Sequence, residues 1–75
     1  MWMPDPATLS RPAYRSLARA IVTAIDDGRL RPGDRLPTHR DLAFRLGLSV
    51  QTVSRAYEAL IRADVITGEV GRGTY

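Results

Sequence analysis

Two polar side chains, Gln51 and Arg55, lie four residues apart in a segment whose apolar residues recur at helical spacing. Residues at this separation share one face of a helix, and here that face lies opposite the apolar one. A glutamine amide can pair with both edge groups of adenine, and an arginine guanidinium can pair with guanine or a phosphate. Taken alone, this spacing is more typical of a solvated face, as most charged helix faces are. Within a helix-turn-helix it favours contact with nucleic acid.

Four further side chains lie where helices are predicted to begin. Thr38 and Ser49 occupy N-cap positions, and the backbone amides that follow such caps can bind phosphate. Capping alone is the alternative role, and the two are compatible because several amides stay unpaired at a helix start. Arg40 lies in a first helical turn, where a cation opposes the helix dipole, so an anionic partner would stabilise it. We expect His39 to be exposed, with a DNA contact as a lesser option.

Near the end of the chain, Arg72 stands between Gly71 and Gly73. No core can bury an arginine in such a segment, and its side chain could enter a DNA minor groove. A solubilising loop tip is the alternative, and the sequence leaves both open.

Helical periodicity and punctuation predict the elements that carry these residues. Helices are expected over 12–27, 38–46 and 49–63, with Gly47-Leu48-Ser49 separating the last two as in a helix-turn-helix. β-prone residues and glycines over 65–75 predict a hairpin, and Arg35-Leu36 a very short first strand. Residues 1–11 are expected to form an extended, poorly ordered arm. The fold class is thus α+β, a winged helix-turn-helix over 12–75.

Composition excludes several classes of site. The 75 residues contain no cysteine and one histidine, which excludes disulfides and leaves too few ligands for a metal site. All 11 basic residues are arginine, and the net charge of +3 weakly favours a polyanionic partner. No run approaches the roughly 20 apolar residues of a membrane span, and no signal peptide is recognisable. We expect a cytoplasmic protein with no membrane partner.

Catalytic patterns are not found in the sequence. Asp26 and Asp27 are adjacent, so their side chains diverge by about 100° on a helix and cannot act as a paired acid and base. Gly71-Arg72-Gly73 precedes no helix and does not form a phosphate loop. We therefore expect no enzyme activity, no catalytic residue and no cofactor in this chain.

Most of the chain resembles the GntR-type winged helix. The matching motifs are Pro32-Gly33, Leu36-Pro37-Thr38, Arg40-Asp41-Leu42-Ala43, Leu46-Gly47-Leu48-Ser49, Thr52-Val53, Ala56-Tyr57, Leu60 and Gly71-Arg72-Gly73-Thr74-Tyr75. The resemblance implies sequence-specific binding of double-stranded DNA as the reader domain of a bacterial transcription regulator. A protein-interaction module and a non-catalytic appendage of an aminotransferase-like enzyme are the alternatives.

Within that family the chain looks most like the MocR branch. The similarity lies in Trp2, Pro4, Tyr14, Pro37-Thr38-His39-Arg40 and Thr52-Val53-Ser54-Arg55-Ala56-Tyr57. It implies a larger aminotransferase-like module after Tyr75 that binds pyridoxal phosphate, and a homodimer only in the full-length protein.

Together, the residues and the resemblance predict a set of DNA contacts. The set comprises Thr38, His39, Arg40, Ser49, Val50, Gln51, Thr52, Ser54, Arg55, Gly71, Arg72 and Gly73. The chain departs from the family pattern at three positions. Many members carry arginine at the positions of Val50 and Ser54, which affects base preference. Asp64 replaces the usual glycine after the third helix, which is expected to strain the entry to the wing.

Overall fold

The computed structural model describes residues 2–4, 6, 9–69 and 73–74. Within them the chain forms three helices followed by two short strands. These are α1 (Ala13–Asp26), α2 (His39–Leu46), α3 (Val50–Arg62), β1 (Gly68–Glu69) and β2 (Gly73–Thr74). None of the described helices is long and apolar enough to cross a membrane.

The starts of α2 and α3 follow from their capping residues. The Thr38 hydroxyl accepts a hydrogen bond from the Asp41 N–H at 3.1 Å, and the Ser49 hydroxyl accepts one from the Thr52 N–H at 3.1 Å. Each cap satisfies one of the amides that a helix start leaves unpaired, so both predicted N-caps are confirmed.

The ends of α2 and α3 share one hydrogen-bond pattern. After α2, the Leu48 N–H reaches back to the Ala43 carbonyl at 2.9 Å, with Gly47 in the left-handed conformation at φ +68°. After α3, the Val65 N–H reaches the Leu60 carbonyl at 2.9 Å, with Asp64 at φ +58°. Both ends are Schellman motifs. The backbone strain expected at Asp64 is therefore present, since a side chain occupies a conformation that favours glycine.

One hydrophobic core joins the three helices. α3 packs against both α1 and α2, which places it at the centre of the domain. The buried hydrophobic residues are Leu17, Ile21, Ala24, Leu30, Leu36, Leu42, Ala43, Val53, Ala56, Tyr57, Leu60 and Ile66. The apolar stripe predicted for each helix supplies most of this core. The polar face of α3, which includes the exposed Gln51 and Arg55, therefore lies outside this core.

The link between α1 and α2 contains a turn and an unpaired extended segment. Asp34 N–H donates to the Arg31 carbonyl at 3.0 Å, and Gly33 has φ +89°, as a type II turn requires. The very short strand predicted at Arg35-Leu36 is wrong: the sheet in the described part of the chain has two strands, β1 and β2. Leu36 is instead fixed by burial of its side chain in the core.

The described part of the segment 1–11 differs from the extended, poorly ordered arm that the sequence led us to expect. Trp2 and Met3 are half-buried against the core, and Pro4 is buried. Apolar side chains at this end thus extend a core that three short helices alone would leave small.

The hairpin predicted over 65–75 is described only as a short ladder. β1 and β2 pair in antiparallel fashion, with Gly68 opposite Thr74 and Glu69 opposite Gly73. The predicted tip, including Gly71 and Arg72, lies outside the described residues.

Candidate nucleic-acid interface

The start of α2 lies against the middle of α3. The His39 Nδ1 and the Ser54 Oγ are 3.1 Å apart, within hydrogen-bond distance. The His39 ring also meets the Tyr57 ring edge-on, with centroids 4.7 Å apart and planes at 70°. These contacts place Thr38 and Arg40, which flank His39, beside α3.

A buried hydrogen bond fixes the same junction from beneath. The Tyr57 hydroxyl donates to the Pro37 carbonyl at 2.7 Å, directly before the Thr38 cap. Burial raises the pKa of Tyr57 well above its ordinary value of 10.0, so the phenol keeps its proton and stays a donor even in alkaline solution. The position of α2 relative to α3 is therefore set by Tyr57 on one side and His39 on the other.

The sequence led us to expect an exposed His39, and this expectation is wrong. It is half-buried, because its ring packs on Tyr57 and one ring nitrogen faces Ser54. Ser54 is half-buried as well. In this structure the two predicted DNA contacts therefore use polar atoms to join two helices of the protein.

The remaining described candidates lie mainly at the surface. Thr38, Arg40, Ser49, Val50, Gln51 and Arg55 are exposed. Thr52 is half-buried, and its hydroxyl lies 2.8 Å from that of Ser49, so it reinforces the cap of α3. Of the hairpin candidates, the described Gly73 lies in β2, and Gly71 and Arg72 lie outside the described residues.

Arg55 has a partner that the sequence did not reveal. Its Cζ lies over the Tyr14 ring of α1, 4.0 Å from the ring centroid. Beside it, the Arg15 Nε donates to the Tyr14 hydroxyl at 3.2 Å. Tyr14 falls at helical spacing with the apolar residues of α1, and no local pattern signals a contact between residues 41 positions apart. α1 therefore contributes to the same surface as α2 and α3.

We call this surface the arginine face and define it by Tyr14, Arg15, Thr38–Arg40 and Ser49–Arg55. Its surroundings are rich in positive charge: residues 9–19 and 38–55 contain six arginines and one aspartate. The rest of the sequence contains five arginines and seven acidic residues. The net positive charge of the chain therefore comes from the segments that build this face.

Among the described residues, the arginines of this face form no ion pair with a carboxylate. In the part of the chain that the structure describes, the one ion pair is Arg29 with Asp27, at 3.1 Å. Arg15, Arg40 and Arg55 thus keep guanidinium donors available to an external anion. Phosphate is one of the anions whose geometry matches a guanidinium fork.

Other kinds of site have less support among the described residues. They contain no group of three histidine, cysteine, aspartate or glutamate side chains that could hold a metal ion. Asp27, one of the adjacent aspartates considered above, is engaged by Arg29.

A comparison with protein families gives a match over most of the chain. The model described as "Bacterial regulatory proteins, gntR family" matches residues 13–75, which includes all three helices and both strands.

Individual relatives agree with this match. The HTH-type transcriptional repressor YtrA of Bacillus subtilis is 38% identical over 71 residues, which cover 95% of this chain and 54% of that protein. The uncharacterized HTH-type transcriptional regulator YdeF of the same organism is 35% identical over 74 residues, covering 99% of this chain. Those residues make up 16% of YdeF, so the chain spans only part of the curated relatives it matches.

Solved structures extend the similarity to three dimensions. YtrA from Sulfolobus acidocaldarius, a GntR-family transcription factor, superposes with a TM-score of 0.80 at 37% identity. The match covers 87% of this chain and 68% of that one. A GntR family transcriptional regulator from Listeria monocytogenes gives a TM-score of 0.82 at 35% identity, covering 88% of this chain and 58% of that one. The winged helix-turn-helix fold is thereby supported along with the family.

Proposed function

Because the chain belongs to the gntR family of bacterial regulatory proteins and is the DNA-binding domain of a transcription regulator, we propose that it reads duplex DNA with the arginine face. The observation that carries this proposal is the junction of α2 with α3. The contact between His39 and Ser54 sets the exposed Arg40 beside α3, and Arg40 forms no ion pair among the described residues.

In this proposal α3 lies in the major groove, as the second helix of a helix-turn-helix does. Gln51 lies in its first turn, is exposed, and makes the bidentate contact with adenine. Val50, which is 44% exposed, is suited to an apolar contact with a thymine methyl group. Arg55 lies one turn further and pairs with a guanine or a phosphate.

The starts of α2 and α3 bind the phosphate backbone. Each cap hydroxyl occupies a single amide, at Asp41 and Thr52, which leaves other amides of the first turn available to phosphate oxygens. Arg40 adds a cation to the start of α2, where an anion would relieve its opposition to the helix dipole. We assign to His39 and Ser54 the role of holding α2 against α3, and direct contact with DNA stays a prediction for both.

The wing is proposed to contact the backbone and the adjacent minor groove. Arg72, with Gly71 and Gly73 on either side, would supply the inserted side chain. Replacing Arg72 by alanine tests this role against that of a solubilising tip. Weaker DNA binding supports insertion, and unchanged binding supports the tip.

For the whole protein we propose a MocR-type regulator in the cytoplasm. The residues Pro37-Thr38-His39-Arg40 and the tyrosine that opens α1 favour this branch, and a relative such as YdeF is long enough to hold a further module. Such a protein would dimerise through that module and bind pyridoxal phosphate there. The sequence that follows Tyr75 tests the branch: a lysine-bearing aminotransferase-like region supports it, and a small effector-binding domain contradicts it.

The salt dependence of DNA binding tests the electrostatic basis of the proposal. With about four to six phosphate contacts, the logarithm of the affinity should fall with the logarithm of the salt concentration at a slope of roughly −4 to −5. An affinity that stays flat between low and physiological salt would remove that basis. If no duplex binds even at low salt, a protein-interaction module becomes the better description.

Binding-site selection with two variants tests the assignment of roles on the arginine face. Gln51→Ala should lose preference at one base position, at a cost of about 1–3 kcal/mol on the preferred site. Arg40→Ala should weaken binding to all sequences alike, because α2 crosses the backbone in this motif. A selected motif that is unchanged by Gln51→Ala would show that another residue reads the base. If Arg40→Ala changes the selected DNA motif, α2 contributes to sequence specificity.

A further inference from the structure

We infer that Tyr14 of α1 is a positioning residue that holds the Arg55 guanidinium in place for a DNA phosphate, with Arg15 as the second arm of the same clamp. The inference rests on the proposed function, because it requires that Arg55 contact DNA. It adds α1 to the elements that determine affinity, and it gives a tyrosine of the apolar stripe a role in binding.

The first observation is the stacking of Arg55 on Tyr14. A separation of 4.0 Å between Cζ and the ring centroid is well within the range of a cation–π contact. Tyr14 is half-buried and packs against the core, whereas Arg55 is exposed. The core therefore holds the Tyr14 ring in place, and the ring restricts the position of the Arg55 guanidinium. A guanidinium that stacks by its face keeps the N–H groups of its edge available to an oxygen ligand.

The second observation is the presence of another guanidinium on the same ring. The Arg15 Nε donates to the Tyr14 hydroxyl at 3.2 Å, and the Arg15 Cζ lies 5.9 Å from the ring centroid. Tyr14 thus gathers two cations from different helices. Like charges gathered at one place repel, and an anion bound by both would relieve that repulsion.

The third observation concerns the acidic residues. Glu58 lies three residues after Arg55 on α3, where an ion pair could form, yet among the described residues only Arg29 and Asp27 are paired. In the described part of the chain, no carboxylate therefore forms an ion pair with either guanidinium on Tyr14. A single phosphate oxyanion could accept hydrogen bonds from both, as phosphate is well suited to guanidinium groups.

The expected gain is one of preorganisation. An exposed arginine samples many rotamers, and fixing it on binding costs conformational entropy. A stacked arginine has already lost that entropy in the free protein, so its binding costs less. We expect Tyr14→Leu, which keeps an apolar side chain in the stripe but removes the ring face, to weaken binding to duplex DNA by about three- to tenfold. Tyr14→Phe keeps the ring under Arg55 but removes the hydroxyl that Arg15 contacts, so it should weaken binding less than Tyr14→Leu does.

A double-mutant cycle on the 75-residue chain separates positioning from general stability. Affinity for one fixed duplex at fixed salt is measured for the parent, Tyr14→Leu, Arg55→Ala and the double variant. If Tyr14 acts through Arg55, the double variant binds no more weakly than Arg55→Ala alone. If the two losses multiply instead, Tyr14 does not act through Arg55 and the inference is overturned.

A measurement without DNA checks the stacking itself. In the parent protein the ring current of Tyr14 should shift the side-chain NMR signals of Arg55 upfield. The shift should persist in Tyr14→Phe and vanish in Tyr14→Leu. Its absence from the parent protein would overturn the inference whatever the affinities. Should Tyr14→Leu fail to fold, Arg55→Lys keeps the charge without the planar stack and should lose the same three- to tenfold.

The outcomes distinguish failure of this inference from failure of the proposed function, in which Arg55 contacts DNA. If Arg55→Ala leaves the affinity for DNA unchanged, Arg55 makes no contact, and the assignment of that residue fails together with the clamp. If Arg55→Ala weakens binding but Tyr14→Leu does not, Arg55 contacts DNA without guidance from α1. Only the clamp is then wrong.

Discussion

The two ends of this domain are built differently on one core. At the arginine face, helices are joined by directed polar contacts, including Tyr57 with Pro37 and His39 with Ser54. At the opposite end, the last turn of α1, the turn at 31–34 and the segment before β1 surround an apolar cleft. We call this region the cleft end; its apolar lining comprises Ile25, Leu30, Pro32, Leu36, Val65 and Ile66.

Charge follows the same division. The cleft end carries Asp26, Asp27 and Asp34 near its arginines, and its ion pair lies there, whereas the arginine face has arginines without paired carboxylates. Directed contacts orient side chains toward a ligand, and apolar contacts only need to exclude water. We therefore expect changes at the cleft end to alter stability and changes at the arginine face to alter DNA binding.

The largest effect is expected from Leu36→Ala at the cleft end. Leu36 is 3% exposed, and removing a buried leucine side chain costs about 2–5 kcal/mol of unfolding free energy. A domain of this size has little more than that to lose. Urea unfolding measures the loss of unfolding free energy. Val65→Ala is the control in the same cleft, because it removes a side chain that is 39% exposed. A fall in the DNA affinity of the folded protein itself would break the division between the two ends.

The next effect is expected from Tyr57→Phe, which keeps the ring but removes the donor to Pro37. A buried carbonyl left without a partner costs about 1–3 kcal/mol. Because this bond also fixes the start of α2, DNA affinity should fall together with stability. If Tyr57→Phe keeps both the stability and the DNA affinity of the parent protein, the hydroxyl does not hold the junction.

The raised pKa of Tyr57 adds a dependence on pH. Since the folded state favours the neutral phenol, its contribution is complete below the unfolded pKa of about 10 and decreases as the pH rises above that value. The unfolding free energy of the parent protein should therefore decline more steeply above pH 10 than that of Tyr57→Phe. Parallel curves for the two proteins would contradict the burial of this phenol.

The comparison also separates what the sequence could predict from what it could not. The caps at Thr38 and Ser49, the turn around Gly33 and the left-handed Asp64 depend on hydrogen bonds that span three to five residues. Local sequence determines such features, and the structure agrees with them. The helix stripes likewise follow from spacing alone.

The features that escaped prediction depend on how the helices pack. The contact of His39 with Ser54 joins residues 15 apart, and that of Arg55 with Tyr14 joins two helices. Whether such residues meet depends on the crossing of the helices, which the apolar pattern alone does not specify. The strand expected at Arg35-Leu36 was wrong for a related reason, since a strand needs a partner that tertiary structure supplies.

A smaller effect is expected from charge removal, and the chain offers a matched pair of exposed arginines. Arg40→Ala on the arginine face should weaken DNA binding and reduce the magnitude of the salt slope by about one. Arg35→Ala near the cleft end removes the same charge and should change neither quantity beyond a small general electrostatic effect. Equal losses for the two variants would mean that net charge, and not the face, determines binding.

The smallest effect is expected at the ends of the helices. Asp64→Gly removes a side chain from a residue at φ +58° and should raise the unfolding free energy by up to about 1 kcal/mol. Gly47→Ala introduces a side chain at φ +68° in the equivalent position after α2 and should lower it by about 1 kcal/mol. Thermal unfolding resolves both, and destabilisation by Asp64→Gly would show that the aspartate makes a compensating contact.

The division between the two ends is tested most directly by NMR amide shifts on addition of a short duplex at low salt. Binding that depends on phosphate contacts does not require the operator to be known. The account predicts that the largest shifts fall on Tyr14, Arg15, Thr38–Arg40 and Ser49–Arg55, while Leu30–Leu36 and Val65 stay near their free positions. Shifts concentrated at the cleft end, with the starts of α2 and α3 unmoved, would contradict it.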